Sequence, residues 1–343
     1  MDGEAVDIDG DGDMDLVLAI ELGRNILLTN NNGVFTSSKP FAARNHDSED
    51  VVAADFDGDG DKDILFVTED DITNEFYLNN GGSFTDVSNR IPVGGRSNAV
   101  TTLDANNDGH LDIVIGNDGT NRLLLNDGNA NFIEQTDNII FSTEITQDVE
   151  AADIDNDGDL DLLIGNENQN KVFINNGDGT FSDESATRLP DISAETRDIE
   201  TGDIDGDGDL DIIVSNVAFF ESFSDANYVL INDGTGHFTQ GELPSMGGQH
   251  ADSDLVDLDL DGDLDLVSAT TYISENIGSN LLYLNDASGT FTGQSMPGSG
   301  NVFDIIAEDF DGDGKPDLYF CNRKAAMIAT GFDGGQDTYY TTN

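Results

Sequence analysis

Apolar residues in this chain come in short runs of four to six, each bounded by Gly, Asn or Asp. One stretch shows the pattern. A short half-apolar segment "DVEAAD" (148–153) leads into an acidic stretch, and a purely apolar run "LLIG" (162–165) follows it. Then comes Asn with a second apolar run, "NKVFINN" (170–176), and a Gly-rich turn that ends in Phe, "GDGTF" (177–181). The runs are rich in β-branched and aromatic residues and too short for a stable helix, so they predict β-strands joined by tight turns. The same order of elements appears in "DVVAAD" (50–55), "ILFVT" (64–68) and "NEFYLNN" (74–80), and the Phe-ended turn returns in "GTGHF" (234–238) and "ASGTF" (287–291).

The acidic stretch sets the period. "DIDGDGDMD" begins at residue 7, and related nonapeptides begin at residues 55, 104, 153, 203, 257 and 309. Seven copies about 50 residues apart mark a repeat array in which each repeat is one supersecondary unit. Four strands per repeat predict an all-β fold, a seven-bladed β-propeller with four-stranded antiparallel blades. Each blade carries an acidic loop between its first and second strands. Residues 1–343 form a single domain on this reading, with blades starting near residues 2, 50, 98, 148, 198, 252 and 303.

The acidic stretches also dominate the charge. There are 70 acidic and 13 basic side chains, for a formal net charge of −57. Four carboxylates at one turn repel one another unless a cation lies between them. A hard cation takes several oxygen ligands at ~2.3–2.6 Å. In D-x-D-x-D-G-x-x-D, positions 1, 3, 5 and 9 offer side-chain oxygens, position 7 offers its carbonyl, and Gly at position 6 allows the sharp turn. The first loop supplies Asp7, Asp9, Asp11 and Asp15 with Asp13 at position 7. The second supplies Asp55, Asp57, Asp59 and Asp63 with Asp61, and the third Asp104, Asn106, Asp108 and Asp112 with His110. The fourth supplies Asp153, Asp155, Asp157 and Asp161 with Asp159, and the fifth Asp203, Asp205, Asp207 and Asp211 with Asp209. The sixth supplies Asp257, Asp259, Asp261 and Asp265 with Asp263, and the seventh Asp309, Asp311, Asp313 and Asp317 with Lys315.

An EF-hand is excluded, because position 12 is apolar (Leu18, Ile164, Val214) and the flanks are strands. A rich, anionic oxygen set favours Ca²⁺ over Mg²⁺, and no His or Cys side chain serves as a zinc ligand. About seven Ca²⁺ are expected, one per blade, with the third loop weakest because Asn106 removes one charge. They would bring the net charge from −57 to about −43. A feature repeated in every blade reads as scaffold rather than as a single active centre.

The remaining composition narrows the partners. An acidic surface argues against nucleic acid and against anionic lipid. No run approaches the ~20 apolar residues of a membrane span. Met1 leads directly into Asp2-Gly3-Glu4, with no visible signal peptide, as expected of an intracellular protein or of a mature domain with an added start residue. Cys321, the sole cysteine, lies in the apolar run "LYFC" and is expected to be buried.

These motifs, D-x-D-x-D-G-x-x-D, an apolar strand, then N-x-x-x-x-N-x-G-x-G-x-F, resemble the FG-GAP/VCBS-type calcium-binding propeller repeats over essentially the whole chain. Such repeats occur in integrin α heads, in some fungal and bacterial lectins and in secreted bacterial proteins. The resemblance implies a calcium-stabilised propeller used for adhesion, sugar binding or polysaccharide cleavage. The Phe-Gly and Gly-Ala-Pro signatures of integrin blades are absent, which places the chain nearer the bacterial type. The seventh repeat replaces the Phe-ended turn with "AAMIATGFDGGQDTYYTTN" (325–343).

Function in a repeat array tends to sit where the repeats differ. The linker between second and third strands is longest in repeats 5 and 6, "NVAFFESFSDAN" (216–227) and "TTYISENIGSN" (270–280). Strand order puts these insertions on the face opposite the acidic loops, which the resemblance makes the ligand face. Phe219, Phe220, Phe223 and Tyr272, with His250 nearby, are the candidate ligand contacts. Stapling of long loops to the blades is an equal reading of such aromatics. Asp2, Asp50, Asp148, Asp198, Asp252 and Asp304 stand five residues before their loops, with Ala99 as the exception. They read either as caps for neighbouring backbone N–H groups, the preferred reading, or as an axial cation site.

Three functions are compatible. The first is a secreted or cell-surface, monomeric, calcium-stabilised module that binds a glycan or a protein. The second is a polysaccharide lyase or hydrolase on the same scaffold, for which His46, His250, Tyr272, Arg44 and Arg197 are the available groups. The third is a spacer within a larger adhesin.

Overall fold

The computed structural model describes residues 2–70, 73–135, 144–218, 226–244, 249–271, 279–299, 302–322, 326–330 and 338–342. Among these the regular structure is almost entirely strand, with one α-helical turn at Ser185–Arg188 and one 3₁₀ turn at Ser88–Arg90. No helix of the described residues is long and apolar enough to cross a membrane.

Repeats 1, 2, 3, 6 and 7 each form a four-stranded antiparallel sheet whose spatial order follows the chain. In repeat 2 the strands are Ser48–Ala54, Asp63–Thr68, Glu75–Leu78 and Thr85–Asp86. The second strand, DILFVT, is buried on both faces, as its unbroken apolar run requires. Both terminal sheets draw all four strands from their own repeat, so neither chain end lends a strand to the other.

Repeats 4 and 5 depart from this plan. The second strand of repeat 4 overruns to nine residues, Asp161–Gln169, and its end pairs with the lengthened first strand of repeat 5, Ser193–Gly202. Glu167 faces Glu195 and Gln169 faces Ser193, which joins the two sheets along an edge.

Cα clustering gives two compact units. The first comprises Met1–Ala151, Ile174–Ser182 and Phe310–Gly312, and the second Ala152–Phe173, Asp183–Asp309 and Asp313–Asn343. Within each, the core lies between successive sheets. In the first unit Val17, Phe41, Val51, Phe66 and Tyr77 pack between sheets 1 and 2, and Phe56, Phe76, Ile113, Leu124 and Phe132 between sheets 2 and 3. In the second unit Ile204, Val229, Leu266 and Tyr283 fill the next such layer, and Leu258, Val267, Ile305 and Phe320 another. Cys321 is buried, as its apolar run predicts.

Position 2 of every acidic loop is an apolar residue sunk in the core: Ile8, Phe56, Ala105, Ile154, Ile204, Leu258 and Phe310 are each at most 3% exposed. Phe56 stacks edge-to-face on Phe76 and Phe132 at 5.5 and 5.6 Å. Full burial of such a side chain is worth about 1.5–3 kcal/mol. The loop is therefore anchored by a hydrophobic residue between its first two acids.

A second anchor is the Asn at the end of the third strand. Asn79 Nδ2 donates to the Ile8 carbonyl at 2.9 Å, Asn126 to Phe56 at 2.9 Å, Asn232 to Ile154 at 2.8 Å and Asn285 to Ile204 at 2.7 Å. Blades 2, 3, 5 and 6 thus grip the loop of the blade before them. Asn30 of the first repeat donates in the same way to Phe310 of the seventh, at 2.7 Å.

Candidate metal centres

Each acidic loop is shaped by its own carboxylates. Asp7 at position 1 accepts from the N–H groups of Gly10 (2.8 Å), Asp11 (3.1 Å) and Gly12 (3.1 Å), which curls the chain around it. Asp55 and Asp203 do the same with the glycines of their loops. Gly12 sits at φ +96°, in the left-handed region that favours glycine at this bend.

Position 9 is the keystone. Asp15 is fully buried, and its two oxygens accept from Asn30 N at 2.7 Å and Ile8 N at 3.1 Å. Asp63, Asp112, Asp211 and Asp265 repeat this with Asn79, Asn126, Asn232 and Asn285. One carboxylate therefore ties the loop's second residue to the end of the third strand. Burial pushes Asp15, Asp112 and Asp211 up to about 6 and Asp63 to about 7, against the opposing effect of those hydrogen bonds.

Positions 1, 3 and 9 converge. In Asp7–Asp9–Asp15, Asp55–Asp57–Asp63, Asp153–Asp155–Asp161 and Asp203–Asp205–Asp211, one oxygen of each residue lies within 4.8 Å of the others. Two oxygens that share an ion at ~2.4 Å are at most about 4.8 Å apart, so the spacing fits one hard cation. The donors are all carboxylate oxygens. Asp155 Oδ1 is also buried and has no hydrogen-bond partner among the described residues, which suits an oxygen directed at a cation.

The other loop positions are used differently. Position 5 accepts the N–H of position 7: Asp11 from Asp13, Asp59 from Asp61, Asp207 from Asp209 and Asp313 from Lys315. The side chain at position 7 turns toward the blade's own Gly-rich turn, where Asp13 accepts from Asn32 N at 2.9 Å and Asp61 from Gly81 N at 2.8 Å. In the third loop Asn106 Nδ2 donates to Asp108, so the amide shares the loop's internal bonding.

The acids five residues ahead of the loops act as caps. Asp50 accepts from Val100 N at 2.6 Å, Asp198 from Ser253 N at 3.0 Å and Asp252 from Ile305 N at 2.7 Å, each in the first strand of the following blade. A register shift falls just before Asp50, Asp198, Asp252 and Asp304, a bulge that re-aims the side chain. Crowded burial raises Asp2 and Asp50, and holds Glu4 at about 8 and Asp254 at about 7.

Of the expected ligand-face residues, Phe219, Phe220, Phe223 and Tyr272 lie outside the described residues. His250 is in the strand Gln249–Val256 rather than on a loop. It is 3% exposed, with Nδ1 2.9 Å from Ser268 Oγ. Arg44 and His46 do come together, around the buried Glu75. Arg44 NH2 reaches Asp86 at 2.7 Å, His46 Nε2 stands 3.6 Å from Glu75, and the Tyr77 hydroxyl donates to Glu75. Phe41 of the same connection is buried against Phe66 and Tyr77. These side chains staple the connection between blades 1 and 2. Arg197 pairs with Glu195 at 3.0 Å and Glu167 at 3.5 Å, at the seam that joins sheets 4 and 5.

The linkers carry a further sequence signal, the Asn ahead of the third strand in repeats 1 to 6. The Asn that opens each third strand closes its linker through Oδ1. Asn25 accepts from Ile20 N, Asn74 from Thr68 N, Asn121 from Asn117 N and Asn170 from Asn166 N, at 2.9–3.1 Å. Across the longer insertions Asn227 accepts from Asn216 N at 2.8 Å and Asn280 from Thr270 N at 3.1 Å. A separate acidic group, Asp47, Glu49 and Glu69, lies away from the loops and was not foreseen, because its members come from two distant segments.

Antiparallel sheets in series, each with an Asp-rich loop between its first two strands, define a β-propeller of Asp-loop repeats. The chain belongs to the FG-GAP-like repeat family, which matches residues 7–66, 58–115, 104–164, 153–214 and 257–320. These spans take in all seven loops. Among solved structures, a protein from Lactobacillus plantarum is similar at 11% identity and a TM-score of 0.65, over 98% of this chain and 94% of that one. An Agrocybe aegerita lectin that recognises non-reducing terminal N-acetylglucosamine is similar at 20% identity and a TM-score of 0.58, over 94% and 85%. An extracellular domain from B. thetaiotaomicron is similar at 11% identity and a TM-score of 0.52, over 95% of this chain and 39% of that one. No curated protein sequence matches the chain.

Proposed function

We propose that the protein is a calcium-stabilised binding module, secreted or held at a cell surface, that recognises a glycan through the face bearing the insertions of blades 5 and 6. The observation that carries the calcium part is the convergence of three carboxylates from positions 1, 3 and 9 in the first, second, fourth and fifth loops. Ca²⁺ would be held by those side chains in each of the seven repeats, about seven ions in all, and would neutralise charge that otherwise opposes folding. The chain's own residues set the loop shape: position 1 curls it, position 2 anchors it and position 9 fastens it to the third strand. On this reading the seven blades form one domain.

The insertions support the location of the ligand face. The strand ends that bracket them lie opposite the loops, and the same Asn clamp that closes the short linkers joins those ends. The similarity to a lectin makes a glycan the first ligand class to test, and the similarity to an extracellular domain supports an extracellular site of action. A glycan array probed with the calcium-loaded chain, and again in excess chelator, tests the reading. Calcium-dependent binding to a defined glycan supports it. An array with no binding, together with capture of a specific protein ligand, would move the ligand class to protein.

A further inference from the structure

In the fourth loop an arginine pairs with the acid at position 3. Arg188 ends the helical turn Ser185–Arg188 that follows the last strand of blade 4, and its side chain is 9% exposed. The guanidinium has three partners. Nε donates to Glu184 at 2.8 Å, NH1 to the Thr235 carbonyl at 2.5 Å, and NH2 to Asp155 Oδ2 at 3.1 Å. Asp155 is position 3 of the fourth loop. Room for the guanidinium is built in: a Cβ at Gly236 would lie 2.2 Å from Arg188 NH1. The site is therefore a fitted pocket for this side chain and not a surface pairing.

We propose that Arg188 is a resident counter-ion of the fourth loop, which keeps that loop's shape without metal and makes it a weak calcium site. The proposal rests on the calcium reading of the loops above. Arg188 engages Oδ2 of Asp155 and leaves only Oδ1 for an ion. A fixed positive charge next to the site also repels a divalent cation. At a separation of ~6 Å that repulsion lowers affinity about tenfold even at the dielectric constant of bulk water. Without metal the same charge relieves the repulsion among Asp153, Asp155 and Asp161.

The second blade repeats the arrangement in outline. Arg90 ends the turn Ser88–Arg90, and both arginines are followed by an aliphatic residue and Pro, as "RIP" (90–92) and "RLP" (188–190). Arg90 NH1 donates to the carbonyls of Asn129 (2.9 Å) and Ala130 (3.3 Å) in the turn of the next blade, as Arg188 does to Thr235. Its charge acts on Asp57, position 3 of the second loop.

Native mass spectrometry of the full chain across buffered free calcium reads the ion count and the concentration at which each ion leaves. For Arg188→Met the ion count should stay the same, and one of the weakest steps should move to about tenfold lower free calcium. Arg188→Lys, which keeps the charge, should leave that step near wild type. In excess chelator Arg188→Met should melt below Arg188→Lys. Unchanged steps in Arg188→Met, or a step that moves to higher calcium, would overturn the proposal. If Arg188→Met does not fold, wild-type crystals at limiting calcium decide. Anomalous scattering should show lower occupancy in the fourth loop than in the first, and equal or higher occupancy would overturn the proposal. A wild-type chain that binds no calcium at any step would instead overturn the calcium reading itself.

Discussion

The backbone N–H of Asn216 donates to Oδ1 of Asn227 at 2.8 Å and closes the base of the blade 5 insertion as tightly as the bond from Asn166 to Asn170 closes the short linker of blade 4. Asn216 Nδ2 adds a bond to the Ala226 carbonyl at 2.8 Å. The insertion is thus grafted on a standard clamp, and the sheet beneath it does not depend on its length.

Shortening residues 218–226 to the length of the blade 4 linker, with Asn216, the buried Val217 and Asn227 kept, should therefore abolish ligand binding. The calcium-dependent melting temperature should stay within about 2 °C of wild type, since surface changes away from packed features are usually small. The paired measurements are binding to the ligand found on the array and a thermal melt in calcium. Parallel loss of binding and stability would make the insertion a structural staple.

The hydrophobic anchor of each loop should matter to the fold independently of metal. Phe56→Ala should cost about 3–5 kcal/mol, from lost burial and a cavity between Phe76 and Phe132. Asn30→Ala leaves the buried Phe310 carbonyl without that donor and should cost about 1–3 kcal/mol. Denaturant unfolding in saturating calcium checks both. Losses below about 0.5 kcal/mol would show that the inter-blade contacts are not what secures the loops.

The pH dependence should reverse with calcium. Asp15, Asp63, Asp112 and Asp211 sit at about 6–7 in the metal-free fold, above the ordinary aspartate value of 3.8. A carboxyl that binds its proton more tightly in the folded state favours folding while protonated. That advantage disappears as pH rises through the folded-state value. In excess chelator the melting temperature should fall between about pH 4 and pH 7. With calcium present, lowering the pH through that window makes protons compete with the ion, so the melting temperature should rise with pH instead. Melts at pH 5 and pH 7.5, with and without chelator, test the crossing of the two trends. A metal-free melt that climbs from pH 5 to pH 7.5 would contradict it.

The loops were legible in the sequence because ligand chemistry demands side chains at fixed spacing, and the strands because each is a short apolar run. The alternation of acid and apolar residue at positions 1 to 3 was also present, yet the role of Ile8 or Phe56 as a core plug shows only when the next sheet is in place. The joined edge of sheets 4 and 5 was not legible. Glu167, Asn168 and Gln169 are polar and read as a turn, and their pairing with Glu195, Ala194 and Ser193 is made by backbone groups that leave no apolar pattern. The strand position of His250 is not legible for a similar reason, since "GGQHADSD" lacks strand alternation while the residue pairs with Thr270 in the sheet. Salt bridges such as Arg44 to Asp86 join residues far apart in sequence and could not be read from local spacing.

The central claim is that the acidic loops hold calcium and that the fold depends on it. The most direct test counts calcium per chain by native mass spectrometry at millimolar calcium and follows the thermal melt of the same sample into excess EDTA. About seven ions per chain are expected, with a fall in melting temperature of at least ~10 °C on chelation, because an ion held only by the folded state contributes ~2.7 kcal/mol at a hundred times its dissociation constant. A chain that carries no calcium and melts at the same temperature in EDTA would contradict the account.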